Sequence, residues 1–473
     1  MSDTPPPLHD HEGAVSPAID DDEDNDFVGL SDERISEILD DLYEERTADI
    51  QTHLADLSDA DMVDLLQKID KEDRSNLLEK YGILIGPYVF ADLEPEILKE
   101  TLSSMSAARV ANIISELDSD DAFYLIVNLD EDFQKEIIRK LSARERVVIE
   151  QSLTFPEDSA GRLMQREYVA IPQFWTVGKT IDYLRAAADD LPDEFYDLIV
   201  IDPSYHVVGE IPLNRLVRSK RPEKIENLML EDTHPIPADM DQEDVARIFR
   251  REGIGSAPVV DADERLIGVI TIDDVIDIID EEAQEDILKL AGVEDGDLYR
   301  AVLSTTGSRF KWLFLNLITA ILASIVISFF DATIQQIVAL AVLMPIVASM
   351  GGNAGTQALT VAVRALATNQ LSDTNTFRLI WKETIVGTIN GAGFALIMGV
   401  VAALWFQSPV LGLVIGAAMI LNLICAGLFG AGIPIFLHRI GSDPAIASTV
   451  FLTTITDVVG FLGFLGLASI FLI

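Results

Sequence analysis

Two patterns of apolar and polar positions divide this 473-residue chain near residue 310. Beyond that point apolar residues run almost unbroken through 312–330, 334–350, 385–406, 410–437 and 445–473. Each run approaches or exceeds the roughly 20 residues that an α-helix needs to cross a bilayer. A buried soluble core rarely supplies one such run, and five in series predict five membrane spans.

Before residue 310 the apolar positions are spaced. Between Leu57 and Gln151 an apolar residue followed by Ser or Asp recurs in steps of twelve: Leu57-Ser58, Ile69-Asp70, Met105-Ser106, Leu117-Asp118, Leu129-Asp130 and Leu141-Ser142. Ser and Asp cap helix N-termini, so each unit reads as one short amphipathic helix and its turn, stacked as in an α-solenoid. A second repeat follows, in which Leu163-Met164 and Ile171-Pro172 return as Leu228-Met229 and Ile236-Pro237, an offset of 65. Asp202 and Gly209 return as Asp261 and Gly268 at an offset of 59, which places about six extra residues near 189–194 in the first copy. Each copy reads as strand, helix, strand, turn, strand, helix. The stretch IDDVIDIIDEEAQEDILKLAG then predicts a connecting helix with Val275, Ile278, Ile279, Ile287 and Leu290 on its apolar side and Gly292 at its end. Its other side carries Asp274, Asp277, Asp280, Glu281, Glu282, Glu285 and Asp286.

The expected fold class is a multidomain α plus α/β membrane protein. Its parts are a disordered acidic tail (1–30), a helical N-terminal domain (31–160), two α/β repeats (161–226 and 227–277), a connecting helix and linker (278–309), and a five-span helical domain (310–473). From Lys311 onward five bases balance five acids, so the net charge of −44 belongs to residues 1–310, where 73 acids face 29 bases. Such a segment repels nucleic acid and attracts cations; a salt-adapted host would produce the same bias. Arg309, Lys311, Arg364, Arg378, Lys382 and Arg439 flank alternate ends of the spans, whereas 331–333 and 407–409 carry no base. The positive-inside rule then places the N-terminal part in the cytoplasm and the C-terminus across the membrane. The start, MSDTPPPLHDHEG, does not read as a signal peptide, and the lone Cys425 excludes a disulfide framework.

The last run, 445–473, carries one charge, Asp457. A carboxylate at the centre of a spanning helix costs roughly 2.5–3.5 kcal/mol unless water, a partner or a cation compensates it. Thr449, Thr453 and Asp457 stand one helical turn apart and give that helix an oxygen-bearing face. In the second run Pro345, Gly351, Gly352 and Gly355 predict a break or weakened helix, with Asn353, Thr356, Gln357 and Thr360 as neutral oxygen ligands or donors. An oxygen-rich face with one carboxylate and no thiolate or imidazole suits a hard cation; magnesium, which keeps its inner waters, is the natural candidate. A proton relay needs a second buried acid, and none is expected beside Asp457. A helix-interface role for Asp457 stays open. An enzyme needs a nucleophile and base or a phosphate loop, and neither is present: the six histidines are scattered, and GLFGAG (427–432) follows no strand.

The sequence of domains, with FPEDSAGRLM (155–164), APVVDADERLIGVITIDDVID, EEAQEDI, GGNAGTQ, RALAT and the DPA (443–445) and TD (456–457) segments, resembles the MgtE-type magnesium channels and transporters. The α/β tandem resembles a pair of CBS domains. The resemblance implies a bacterial plasma-membrane homodimer with a central pore, in which Asp457 of each subunit engages hydrated magnesium, and closure of that pore by magnesium bound among the cytosolic domains. It implies regulatory ligands at Asp120, Glu243, Asp274, Asp277, Glu282, Glu285 and Asp286, Asp443 near the inner mouth, and ATP as a ligand of the CBS pair. Tyr124 and Gly253 stand where relatives carry acids, and Thr449 and Thr453 where some carry other small or amide residues. Two other readings remain at this stage: a membrane-anchored cation sensor, and a proton-coupled or exchange carrier.

Overall fold

The computed structural model describes residues 29–188, 191–192, 195–293, 302–368, 370–372, 374–445 and 448–473. The acidic tail lies outside them except for its last two residues, as do most of the 189–194 insertion and the linker 294–301. Leu30 is anchored: Asp64 accepts its N–H at 2.8 Å and the Lys68 ammonium donates to its carbonyl at 2.8 Å. Ordered packing thus starts inside the segment expected to be tail.

The described residues up to Leu117 form one compact unit of short helices around Ile38, Leu42, Leu65, Leu77 and Leu98, all essentially inaccessible to solvent. Residues 118–473 form a second unit, which begins within the segment read as one helical domain. All six predicted caps are helix N-caps, those of 59–68, 71–81, 107–114, 119–127, 131–138 and 143–152. The side chains of Ser58, Asp70, Ser106 and Ser142 each accept the N–H three residues on, and Asp61 and Glu145 complete reciprocal capping boxes. Asp118 and Asp130 cap without that side-chain bond.

The α/β tandem forms two three-stranded sheets of identical design. β1 (Ala170–Pro172) pairs parallel with β2 (Asp197–Ile201), which pairs antiparallel with β3 (Val207–Pro212); β4 (Ile236–Pro237), β5 (Ser256–Val260) and β6 (Leu266–Thr271) repeat the pattern. Even the register shift recurs, at Val200/Ile201 and at Val259/Val260. The copies exchange their leading segments. Met164 and Ala160 are buried in the core of the second sheet, beside Ile236, Val245 and Phe249, while Leu228 and Met229 pack into the first. Gly268 and Gly209 make this possible: a Cβ there would sit 2.6 Å from the Met164 sulfur and 2.7 Å from the Met229 sulfur. The boundaries read at 161 and 227 therefore separate repeats in sequence rather than folded cores.

The connecting helix is continuous from Ile272 to Ala291 and serves also as the last helix of the second repeat. Gly292 ends it in the left-handed conformation, φ +69°, which glycine adopts without steric cost. Val275 and Ile278 are buried and Ile279 partly so, but Ile287 is 68% exposed, so the predicted apolar side does not run the whole length.

Among the described residues five helices are long and apolar enough to cross a membrane: Val302–Ser328, Ala339–Ala367, Thr376–Trp405, Pro409–Arg439 and Ser448–Phe471. The second runs as one helix through Pro345 and the glycines, where a break was expected. Here the glycines serve contact: Gly355 faces Leu452 of the fifth helix, and a Cβ on Gly430 of the fourth would lie 2.6 Å from the Gly355 carbonyl oxygen. Small residues let spanning helices approach closely, and packing replaces the hydrophobic drive that lipid does not supply.

Candidate ion pathway and acidic clusters

Asp457 lies midway along the fifth helix, half-buried, two turns beyond Thr449. Thr453 donates to the Thr449 carbonyl at 3.0 Å, so its hydroxyl proton is satisfied within the helix and its oxygen lone pairs remain available. Thr449 is committed elsewhere: its hydroxyl donates to the Leu290 carbonyl, at the end of the connecting helix, at 3.0 Å. Asn353, Thr356, Gln357 and Thr360 are exposed on the second helix, and Thr356 and Thr360 donate to the carbonyls one turn before them.

Asp457 is not the sole carboxylate sequestered in the spans. Glu383, on the third helix, is 8% exposed, beside Lys382 at 3.6 Å. Hydropathy gave no sign of this, because Glu383 sits next to a base near the helix start; there its backbone carbonyl packs closely on Gly427 of the fourth helix. Asn422 also escaped the sequence reading. This fourth-helix amide is fully buried, donates to the Val347 carbonyl at 2.8 Å, and lies between Gly351 of the second helix and Gly460 of the fifth. Among the described residues its Oδ1 has no hydrogen-bond partner. An amide inside the apolar run 410–437 was the available signal.

The expected regulatory acids meet in small groups. Asp120 on helix Ser119–Val127 faces Asp274, and burial first and the Asp274 charge second push it well above the usual carboxylate range. Asp274 is pushed up to about 6, mainly by burial, against the Thr271 hydroxyl that donates to it at 2.8 Å and stabilises its ionised form. Asp277 lies close enough to raise it further. Glu243, on helix Gln242–Glu252, is pushed up to about 7 by burial and then by Glu282 and Asp286. Burial also raises Glu282, which accepts from Gln242 at 2.7 Å, and Asp286, which feels Asp443. Among the described residues no three His, Cys, Asp or Glu side chains converge as a closed metal site. Gly253 holds a left-handed φ of +66° as the C-cap of its helix, which accounts for glycine where an acid was expected.

Where the connecting helix meets the helical bundle, a base stands among the acids. Lys289 Nζ lies 2.6 Å from Glu285 and 2.8 Å from Asp443, in the turn between the fourth and fifth helices. Burial alone would favour the neutral amine, but the two carboxylates hold the ammonium charged and raise its pKa. Leu290 packs there against Leu359, Val363, Ala445 and Leu452.

Comparison with known proteins agrees with this architecture. Residues 344–467 match the MgtE family described as divalent cation transporters, residues 57–158 the MgtE intracellular N domain, and residues 225–281 the CBS domain. The magnesium transporter MgtE of Bacillus subtilis is 30% identical over 93% of this chain and 98% of its own length. That of Thermus thermophilus is 33% identical over 75% and 79%. A crystal structure of the soluble part of a magnesium transporter superposes on 53% of this chain and 98% of its own, with 28% identity and a TM-score of 0.46. The cytosolic domain of the Mg2+ channel MgtE in complex with ATP gives 52%, 99%, 28% and 0.48. The chain is a multi-pass membrane protein, not an enzyme, and it belongs to the MgtE family of magnesium transporters.

Proposed function

We propose that this chain is a magnesium-selective channel or transporter that imports Mg2+ through a pore lined by Asp457, and that magnesium bound to its acidic cytosolic domains closes it. The observation that carries this reading is the attachment of the connecting helix to the start of the helix bearing Asp457, through Lys289–Asp443 and Leu290–Thr449. Any cation that moves the acidic domains thereby acts on the pore helix. Thr453 and Asp457, with Asn353 across from them in a homodimer, would meet the ion through its water shell. The soluble domains and N-terminus lie in the cytoplasm and the C-terminus outside.

The acidic groups fit a regulatory divalent cation. Asp120 and Asp274 are half-buried and close to one another, and Glu243, Glu282 and Asp286 crowd together; the Thr271 and Gln242 hydrogen bonds and Lys289 offset only part of the cost of their charged forms. Oxygen-only donors of this kind suit Mg2+. Without a closed triad, magnesium would meet Asp120, Asp274 and Asp277, and Glu243, Glu282 and Asp286, through its water shell, and near the mouth it would compete with Lys289 for Glu285 and Asp443. The CBS pair is the place for ATP, to be tested by equilibrium dialysis with the full chain.

The test is Mg2+ flux into liposomes containing the full-length protein. Asp457→Ala abolishes uptake, and Asp457→Asn, which keeps shape but loses charge, is nearly as inactive. Wild-type flux in either variant would sink the pore assignment.

A further inference from the structure

Three of the five bases of the membrane part gather around one cavity of about 580 Å³, at the end of the bundle against which the connecting helix packs. Arg364 comes from the end of the second helix, Arg378 and Lys382 from the first turns of the third, and Gln370 and Asn375 from the turn between them. Among the described residues its lining contains no carboxylate; Asp373, in the same turn, lies outside them. Among the described residues neither guanidinium has an ion-pair partner, although the chain carries a net charge of −44 and acids are abundant. Lys382 is 3.6 Å from Glu383, a separation too long for a hydrogen bond. The third helix, 30 residues long, also begins here, with no side-chain cap and no acid in its first turn. The dipole of that helix adds positive potential at the same point.

We propose that this cavity binds a phosphate-bearing anion, supplied by the headgroup of an anionic phospholipid. Two guanidinium forks, an ammonium and a helix N-terminus match a phosphodiester, and arginine pairs with phosphate in bidentate fashion. The lipid source follows from the neighbours. Phe377 and Trp381, adjacent in sequence to Arg378 and Lys382, are 72% and 58% exposed at the beginning of a spanning helix. Aromatic side chains at that level mark the membrane interface, where headgroup phosphates lie. The rest of the chain repels anionic headgroups, so this cavity is a local reversal of charge. A headgroup bound here ties the second helix to the third beside Val363, part of the cluster that receives Leu290.

Thermal unfolding of the full-length protein in neutral detergent tests the assignment, with phosphatidylglycerol, phosphatidylcholine and inorganic phosphate as separate probes. Phosphatidylglycerol should raise the wild-type Tm by about 2–4 °C or more, with phosphatidylcholine and phosphate inert at matched concentrations. The triple variant Arg364→Gln/Arg378→Gln/Lys382→Gln, whose substitutions are all on exposed side chains, loses that rise and retains about one fewer phosphatidylglycerol per chain by phosphorus assay. Lys311→Gln, which removes a base outside the cavity, keeps both. An equal response in the triple variant, or an equal response to phosphatidylcholine, would overturn the site. A rise produced by inorganic phosphate alone and lost in the triple variant would overturn the lipid source.

Discussion

The Thr449 hydroxyl of the fifth membrane helix donates to the Leu290 carbonyl at the end of the connecting helix, at 3.0 Å. The last carbonyls of any helix lack partners within it, and here one is satisfied by a hydroxyl of the fifth membrane helix. Thr449, read from sequence as an ion ligand, thus also joins the connecting helix to the helix that carries Asp457.

Replacing Thr449 by Val keeps the volume and removes the donor. The bond is worth about 0.5–1.5 kcal/mol, so the open state gains up to roughly tenfold. Flux at millimolar internal magnesium should rise while flux at low magnesium stays near wild type. If Thr449 instead coordinates the ion, flux falls at every magnesium concentration.

Glu285 and Asp286 face the same junction, and Glu285→Gln with Asp286→Asn should weaken closure by magnesium without impairing conduction. Moving a two-state balance from 1:99 to 99:1 takes about 5.5 kcal/mol, which several weak divalent sites supply together. Protease protection of the soluble domains, titrated with magnesium, shifts to higher concentration in this variant. Wild-type protection that does not change between zero and tens of millimolar magnesium would refute magnesium-driven closure.

Glu210, on β3, predicts a pH dependence. Burial, then Asp197 and Asp232, push it up to about 7 from an ordinary 4.5. A folded-state pKa above the unfolded one means that the native state binds the extra proton. The stabilising contribution is complete below about 4.5 and is lost as pH rises through about 7. In magnesium-free buffer the α/β tandem should therefore melt higher at pH 5.5 than at pH 8, and Glu210→Gln should reduce that difference. Identical slopes for both proteins would show Glu210 to be silent.

Asn422 predicts a packing rescue. Gly351→Ala drives a methyl into the Asn422 amide, which Gly460 blocks on its other side, 2.8 Å from where a Cβ would stand. Overpacking of this kind costs about 1–3 kcal/mol, seen as a lower Tm and reduced flux. Asn422→Ser in the same chain opens space and restores part of both. A double variant no better than Gly351→Ala would show that the two sites are independent.

The five spans, the six caps and the duplicated α/β repeat were written in the chain's periodicities, because helix and strand spacing and cap chemistry are local properties that one sequence displays directly. Asp457 was equally legible, since a charge within a long apolar run stands out against the cost of burying it. The partners were not legible. That Met164 and Met229 cross to each other's sheets, that Thr449 bonds Leu290, that Lys289 enters the acids around Asp443, and that Gly427 packs on the Glu383 backbone are contacts between residues 20 to 160 positions apart. Sequence spacing says which face a residue occupies, but not what meets that face. The second membrane helix shows the limit most clearly: Pro345 and three glycines read as a break, and packing against the fourth and fifth helices keeps it continuous, because small residues that weaken an isolated helix let neighbouring helices come close enough to hold it.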